Sequence, residues 1–251
     1  MIMEKLVSVI TPTYNCAQDI GQTIESVIAQ TYQNWEMIIV DDCSTDHTKE
    51  EVKKYSQKDP RIKYMCLEKN AGAAVARTQA MKQAAGSYMA FLDSDDLWTP
   101  EKLEVQIRIM EEKGINFSCT EYEQMNEQGE RTGKKIRVVP KTDYNRLLLD
   151  CPVGNSTVVY NVDKMGKFEV PDIRKRNDDA LWLKMLKKER YIVGIDQCLM
   201  LYRVRQNSIS SNKFKLIKYH WILYRDIEHL SIARSVFHIC YWCVIKILKV
   251  K

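Results

Sequence analysis

The glycine-rich loops that mark many phosphate-binding enzymes are missing from this chain. Neither G-x-x-x-x-G-K-[ST] nor G-x-G-x-x-G occurs in its 251 residues, so P-loop and dinucleotide enzymes find no support. The turn after the first predicted strand, Thr11-Pro-Thr-Tyr-Asn15, holds no glycine, which also speaks against a nucleotidylyltransferase. Eight cysteines are present, but metal-site spacing is not: Cys240 and Cys243 form a C-x-x-C that no second pair completes into a zinc site. Most stand singly in apolar runs or turns, as in a reducing compartment, and the expectation is a cytoplasmic protein. No signal-peptide pattern opens the chain, because Met1 to Lys5 leads straight into a strand pattern. Internal repeats and low-complexity linkers are lacking too.

Net charge is +5, unevenly spread. From Lys213 on, eight Lys/Arg face Asp226 and Glu228, a tail charge of +6 that leaves −1 for the remainder. A basic tail on a near-neutral body suits an anionic membrane surface better than nucleic acid. Ser235 to Val250 is almost continuously apolar but shorter than the ~20 residues of a spanning helix. With Tyr241, Trp242, Lys246, Lys249 and Lys251 it reads as a helix lying in a membrane interface, or else packing on protein.

What is present in the first 96 residues is a regular alternation. Leu6–Thr11, Trp35–Val40, Ile62–Leu67 and the short apolar run that opens Tyr88–Trp98 read as strands, with Pro12 breaking the first. Helical patterns stand between them, over Ile20–Ile28, after Asp46 as a cap, and over an alanine-rich run from Gly72 to about Ala85 that Gly86 stops. Such β/α alternation predicts a parallel sheet covered on both faces. Ligands then bind outside the carboxyl ends of the strands. Carboxylates stand at two such ends, Asp41/Asp42 and Asp93/Asp95/Asp96. Side chains at i and i+2 of an extended chain point the same way, so Asp93 and Asp95 repel unless a cation sits between them. Mg²⁺ or Mn²⁺ shared with a diphosphate is one solution; a solvated acidic turn and helix capping are the others.

Beyond Pro100 the alternation is lost. A helix to about Glu112, a strand over Phe117–Glu123, a return strand over Ile136–Val139, a short helix over Tyr144–Leu149, and strands at Thr157–Tyr160, Tyr191–Val193 and Cys198–Val204 suggest a second lobe on the same sheet. Asp178 stands at or just inside the start of a helix carrying Leu181, Trp182, Met185 and Leu186, where the dipole favours a carboxylate.

Six pieces in order resemble the family 2 glycosyltransferases of bacterial surface-polysaccharide type. They are Val7–Asn15, Ser26–Tyr32, Ile39–Asp46, Asn70–Gly72 with Ala76-Arg77, Phe91–Asp96 and Asp178–Leu183. The resemblance implies an α/β GT-A fold: a nucleotide-sugar-binding half (1–96), an acceptor-binding half with a mixed sheet (97–205) and C-terminal helices (206–251). It implies an inverting, metal-dependent transferase using a nucleotide sugar, UDP-linked in first place, and a saccharide or lipid-linked saccharide acceptor at the inner membrane face. Thr11, Pro12 and Tyr14 would line the base pocket and Asp42 would bind the uracil edge. Arg77 would place the nucleotide, Asp93 would approach ribose or sugar, Asp95 would hold Mn²⁺ or Mg²⁺, and Asp96 would orient donor or acceptor. Asp178 would be the catalytic base, although Asn177 stands where the family carries an acid and Asp179 where an aromatic is frequent. A non-catalytic, membrane-docked binding subunit of the same fold is the competing expectation.

Overall fold

The computed structural model describes residues 5–205 and 213–248; the side chains of 213–215 and 246–248, and the strand lead-in and terminal lysines noted above (Met1, Lys249, Lys251), lie outside the described residues. Four strands, β1 (Val7–Thr13), β2 (Trp35–Asp41), β3 (Ile62–Cys66) and β4 (Tyr88–Phe91), pair in parallel in the order β3-β2-β1-β4. The helices α1 (Ile20–Ile28), α2 (Thr48–Ser56) and α3 (Ala73–Gln83) connect them. Both faces of β1, β2 and β4 are buried, as a parallel sheet under helices requires, while the edge strand β3 is only partly covered. Val7, Val9, Met37 and Ile39 face one core with Ile20 and Ile24 of α1, while Ile10, Ile38 and Val40 face another with Ala76 and Ala80 of α3.

Two local expectations are corrected here. Pro12 does not break β1, which runs on to Thr13; Pro12 lies opposite Val40 in the parallel register. Gly86 is no helix stop, since α3 already ends at Ala84 in extended conformation. Its reason is close approach: a Cβ there would lie 2.7 Å from Leu6 O, Ser8 N and Ser8 Oγ. The Gly86 N–H donates to Ser8 Oγ, which donates in turn to Glu36, so this corner locks the ends of the strands opposite the carboxylates.

The second half extends the same sheet. β5 (Leu97–Trp98) leads into α4 (Lys102–Lys113), whose Leu103, Ile107 and Met110 are buried. Then come β6 (Phe117–Met125), β7 (Arg131–Ile136), β8 (Lys141–Thr142), α5 (Tyr144–Leu149), β9 (Val159–Asn161), α6 (Val162–Met165), α7 (Asn177–Leu186) and β10 (Ile192–Arg203). The path continues β4-β9-β6-β10-β5, with β9 antiparallel to β4 and β6, and β10 parallel to β6. The hairpin's return strand lies earlier than the apolar run Ile136–Val139 suggested. It is an exposed edge, so lysine and arginine rather than hydrophobic residues mark it. The two segments expected at 191–193 and 198–204 are one strand; irregular register between Ile195 and Met200 hides the continuity from a period-2 pattern.

Lys102 is fully buried, its Nζ 4.2 Å from the Trp98 ring centroid and donating to Gln106 Oε1. Burial pushes its ammonium down to about 7. A native state that releases this proton near pH 7, while the unfolded chain holds it to about 10.4, gains stability as pH rises across that window and is flat below it. Raising pH from 7 to 9 therefore stabilises the wild type relative to Lys102→Met by at least about 1 kcal/mol in urea melts.

The tail folds as α8 (Lys213–Ile222), a π-helical turn over Leu223–Ile227 and α9 (Ile232–Leu248). No helix among the described residues is long and apolar enough to cross a membrane. Trp242, expected as an interfacial anchor, is instead buried against the His220 ring at 4.5 Å. The exposed apolar side of α9 carries Ile232, Val236, Phe237 and Val244.

Candidate active site

The carboxyl ends of β1, β2 and β4 open on one edge of the sheet, and the predicted donor residues gather there. Thr11 and Pro12 are buried within β1, Tyr14 is exposed just beyond it, and the buried hydroxyls of Thr11 and Thr13 have no hydrogen-bond partner among the described residues. Asp42 follows β2 and is buried. Its Oδ1 accepts from Ala71 N–H at 2.6 Å and its Oδ2 from Gly72 N–H at 2.8 Å. It thereby fixes the Asn70–Gly72 turn at the start of α3, where Gly72 has φ 93°. Asp41 is bound elsewhere, by Ser44 N–H and the Tyr64 hydroxyl.

After β4 the three aspartates separate in role. Asp96 is buried; its Oδ2 accepts from Ser156 Oγ at 2.6 Å and its Oδ1 from Arg203 N–H at 3.0 Å. Burial first, then the charges of Asp95 and Asp93, push its carboxyl well above the usual range. It braces β4 against β10 and the 155–157 turn. Asp93 and Asp95 are half-buried and face the crevice. Asp93 Oδ1 accepts from Arg77 at 3.0 Å and Asn155 Nδ2 at 2.8 Å. Asp95 Oδ2 pairs with Arg205 Nε at 3.2 Å, and Arg205 also pairs with Asp19. Burial and the neighbouring Asp93 charge push the Asp95 carboxyl up to about 6, against the pull of Arg205.

Arg77, on α3, is 4 % exposed and links the two halves. One guanidinium nitrogen donates to Asp93 and the other to Asn177 Oδ1, the first residue of α7. The Asn177 that departs from the family's acid is thus the partner of a buried arginine. Behind it α7 separates the neighbouring aspartates. Asp179 points inward, buried and ion-paired with Arg176, which enters the helix with φ 65°. Burial, opposed by Arg176, brings the Asp179 carboxyl up to about 6. Asp178 is half-buried in the first turn and carries no ion pair among the described residues.

Among the described residues no hydrogen bond or ion pair to another residue engages Asp93 Oδ2 or Asp95 Oδ1, and no cluster of three or more metal-binding side chains exists. That donor set suits a hard cation that takes one or two carboxylates and fills its remaining places from phosphates and water. It does not suit a closed protein cage.

The model of the family described as "Glycosyl transferase family 2" matches residues 8–171. The chain belongs to this family. The glycosyltransferase is 43% identical over 244 residues to TuaG of Bacillus subtilis, assigned to teichuronic acid biosynthesis, with 97% of this chain and 95% of the relative covered. It is 40% identical over 247 residues to WfgD of Escherichia coli, named as a UDP-Glc:α-D-GlcNAc-diphosphoundecaprenol β-1,3-glucosyltransferase, at 97% and 94% coverage. These matches reach into the tail, beyond the residues that carry the motifs. In fold it resembles TarS of S. aureus in complex with UDP-GlcNAc (TM-score 0.68, 20% identity, 94% of this chain and 70% of that one). It also resembles the mannosyltransferase PcManGT of Pyrobaculum calidifontis in complex with GDP-Man and Mn²⁺ (TM-score 0.67, 16% identity, 92% and 66%). Those neighbours are GT-A transferases, and the mixed sheet with C-terminal helices is the GT-A fold.

The glycosyltransferase also uses residues that motif analysis passed over. Asn155 and Ser156 reach Asp93 and Asp96 from the turn before β9. Arg203 donates from its guanidinium to Asp95 O, Glu127 O and Gln22 Oε1. A visible signal did exist for the arginines: Arg203 and Arg205 repeat the i, i+2 spacing of Asp93 and Asp95 at the end of another strand.

Proposed function

We propose that this family 2 glycosyltransferase transfers a sugar, with inversion, from a UDP-sugar to a hydroxyl of a lipid-linked saccharide in bacterial surface-polysaccharide synthesis. The observation that carries the reading is the chain of contacts Asp93–Arg77–Asn177. It ties a pair of cation-suited carboxylates to the helix end that presents Asp178. The WfgD name supports UDP and a lipid diphosphate acceptor, and the TuaG assignment supports a surface polymer.

In this reading Thr11, Pro12 and Tyr14 enclose the base, and the remaining lone pairs of Asp42 accept from the uracil edge. Asp95, with Asp93, would hold Mn²⁺ or Mg²⁺, which when bound would neutralise the charge of the departing diphosphate. Arg77 and Asn155 keep Asp93 turned toward the crevice; Asp96 holds the strand end that carries the pair. Asp178 accepts the proton of the acceptor hydroxyl as that oxygen attacks the anomeric carbon from the side opposite the diphosphate. The basic α8–α9 region, with its exposed apolar side, rests on the inner face of the membrane, bringing the acceptor headgroup within reach.

Calorimetric titration with UDP and a panel of nucleotide sugars, with and without Mn²⁺, tests the donor assignment. UDP binding that requires Mn²⁺ is the expected result. Absence of any nucleotide binding in either condition would refute it. Binding without turnover in the presence of every lipid-linked acceptor would favour the non-catalytic subunit.

A further inference from the structure

A surface groove of about 460 Å³ runs between α5 and α9, lined by Asn145 and Leu149 on one side and Ala233, Arg234, Phe237 and His238 on the other. It lies outside the donor crevice. Its walls are mostly apolar, and its α9 wall continues into the exposed side chains of Ile232, Val236 and Phe237, the last 58 % exposed. One cation stands at the groove: Arg234 is exposed and forms no ion pair with any described carboxylate. The nearby Glu228 is already taken by Lys187 and by the Tyr144 hydroxyl. Burial and the Arg234 charge push the His238 imidazolium down, so Arg234 is the charged group of the site.

The groove is also linked to the chemistry. α5 packs on α7, the helix that presents Asp178, and the Tyr224 hydroxyl donates to Leu148 O to fix α5 against the tail. A ligand with an apolar tail and an anionic end would lie with its tail along Leu149, Ala233 and Phe237 and its charge beside Arg234.

We propose that this groove binds the isoprenoid chain of the polyprenyl-diphosphate-linked acceptor, next to its phosphates. The inference rests on the lipid-linked acceptor reading above and adds the site that holds the lipid. A general membrane contact would need only the outer side of α9. The groove goes further, with a second wall from α5 and an unpaired arginine, which suits one chain carrying its own phosphate.

The test uses the full-length chain in detergent micelles and a polyprenyl phosphate bearing a diazirine in its isoprene units. Photolysis is expected to label peptides covering 145–149 and 232–238. Excess polyprenyl phosphate should abolish the label, and an equal excess of phosphatidylglycerol should leave it. Ala233→Trp, at an exposed position, fills the groove; labelling falls and KM for a long-chain acceptor rises by about tenfold or more. Transfer to a short-chain, water-soluble acceptor and UDP affinity stay as in the wild type. Arg234→Glu and Phe237→Ser, also exposed, should weaken labelling in the same direction. Label on other surfaces, equal displacement by phosphatidylglycerol, or unchanged labelling of all three variants would overturn the proposal. Labelling does not depend on turnover, so its failure is separable from failure of UDP binding, which would instead strike the donor reading.

Discussion

Asp178→Asn is expected to bind UDP with Mn²⁺ within about twofold of the wild type while losing on the order of 10²–10⁴ in kcat. The amide preserves shape and removes the proton acceptor. Nothing else should change, because Asp178 holds no ion pair that keeps the fold together among the described residues. Its neighbour provides the contrast. Asp179 is buried against the half-buried Arg176, so Asp179→Asn removes the ion pair of that guanidinium and costs about 1–3 kcal/mol of stability. The two variants thus separate along different axes, kinetics for Asp178 and melting for Asp179. A kinetic loss with normal melting in Asp179→Asn, and full activity in Asp178→Asn, would exchange their roles.

Asp95→Ala is expected to abolish the Mn²⁺ dependence of UDP binding and to lower transfer by at least about 10³. Asp93 alone is a poor site, since one of its oxygens is shared between Arg77 and Asn155. The variant should fold normally or melt slightly higher without cation, because it relieves the burial and then the Asp93 repulsion that raise the Asp95 carboxyl. Arg205 loses one partner but keeps Asp19. Asp96→Ala behaves differently: it removes the acceptor for both Ser156 Oγ and Arg203 N–H inside the protein, so its melting temperature falls. A measured Mn²⁺ titration that is the same in Asp95→Ala and wild type would contradict the assignment.

The parallel half was legible because a buried parallel sheet writes itself as short apolar runs, and helices between them leave a 3.6-residue period. The carboxylates Asp42, Asp93, Asp95 and Asp96 stood out as acids at strand ends. Their division of labour did not, because it depends on partners from other elements: Ser156 and Arg203, 60 and 107 residues away, turn Asp96 inward, and Arg77 of α3 claims Asp93. The choice between Asp178 and Asp179 was hidden for a similar reason. Both lie in the first turn of α7, and the left-handed Arg176 in front of them selects which one faces the core. Trp242 misled because an aromatic in an apolar basic helix fits an interface and a packed helix pair equally well. The irregular register of β10 and the exposed charged edge of β7 explain the misplaced strands of the second half.

The most direct measurement is proton NMR of the product formed from α-linked UDP-glucose and other α-linked UDP-sugars on a GlcNAc-diphosphate-lipid acceptor with Mn²⁺. A β-linked disaccharide, formed by wild type and lost in Asp178→Asn, is the predicted result, since one displacement assisted by one base inverts the anomeric carbon. An α-linked product would contradict it, because retention requires a second displacement that a single base at Asp178 does not provide.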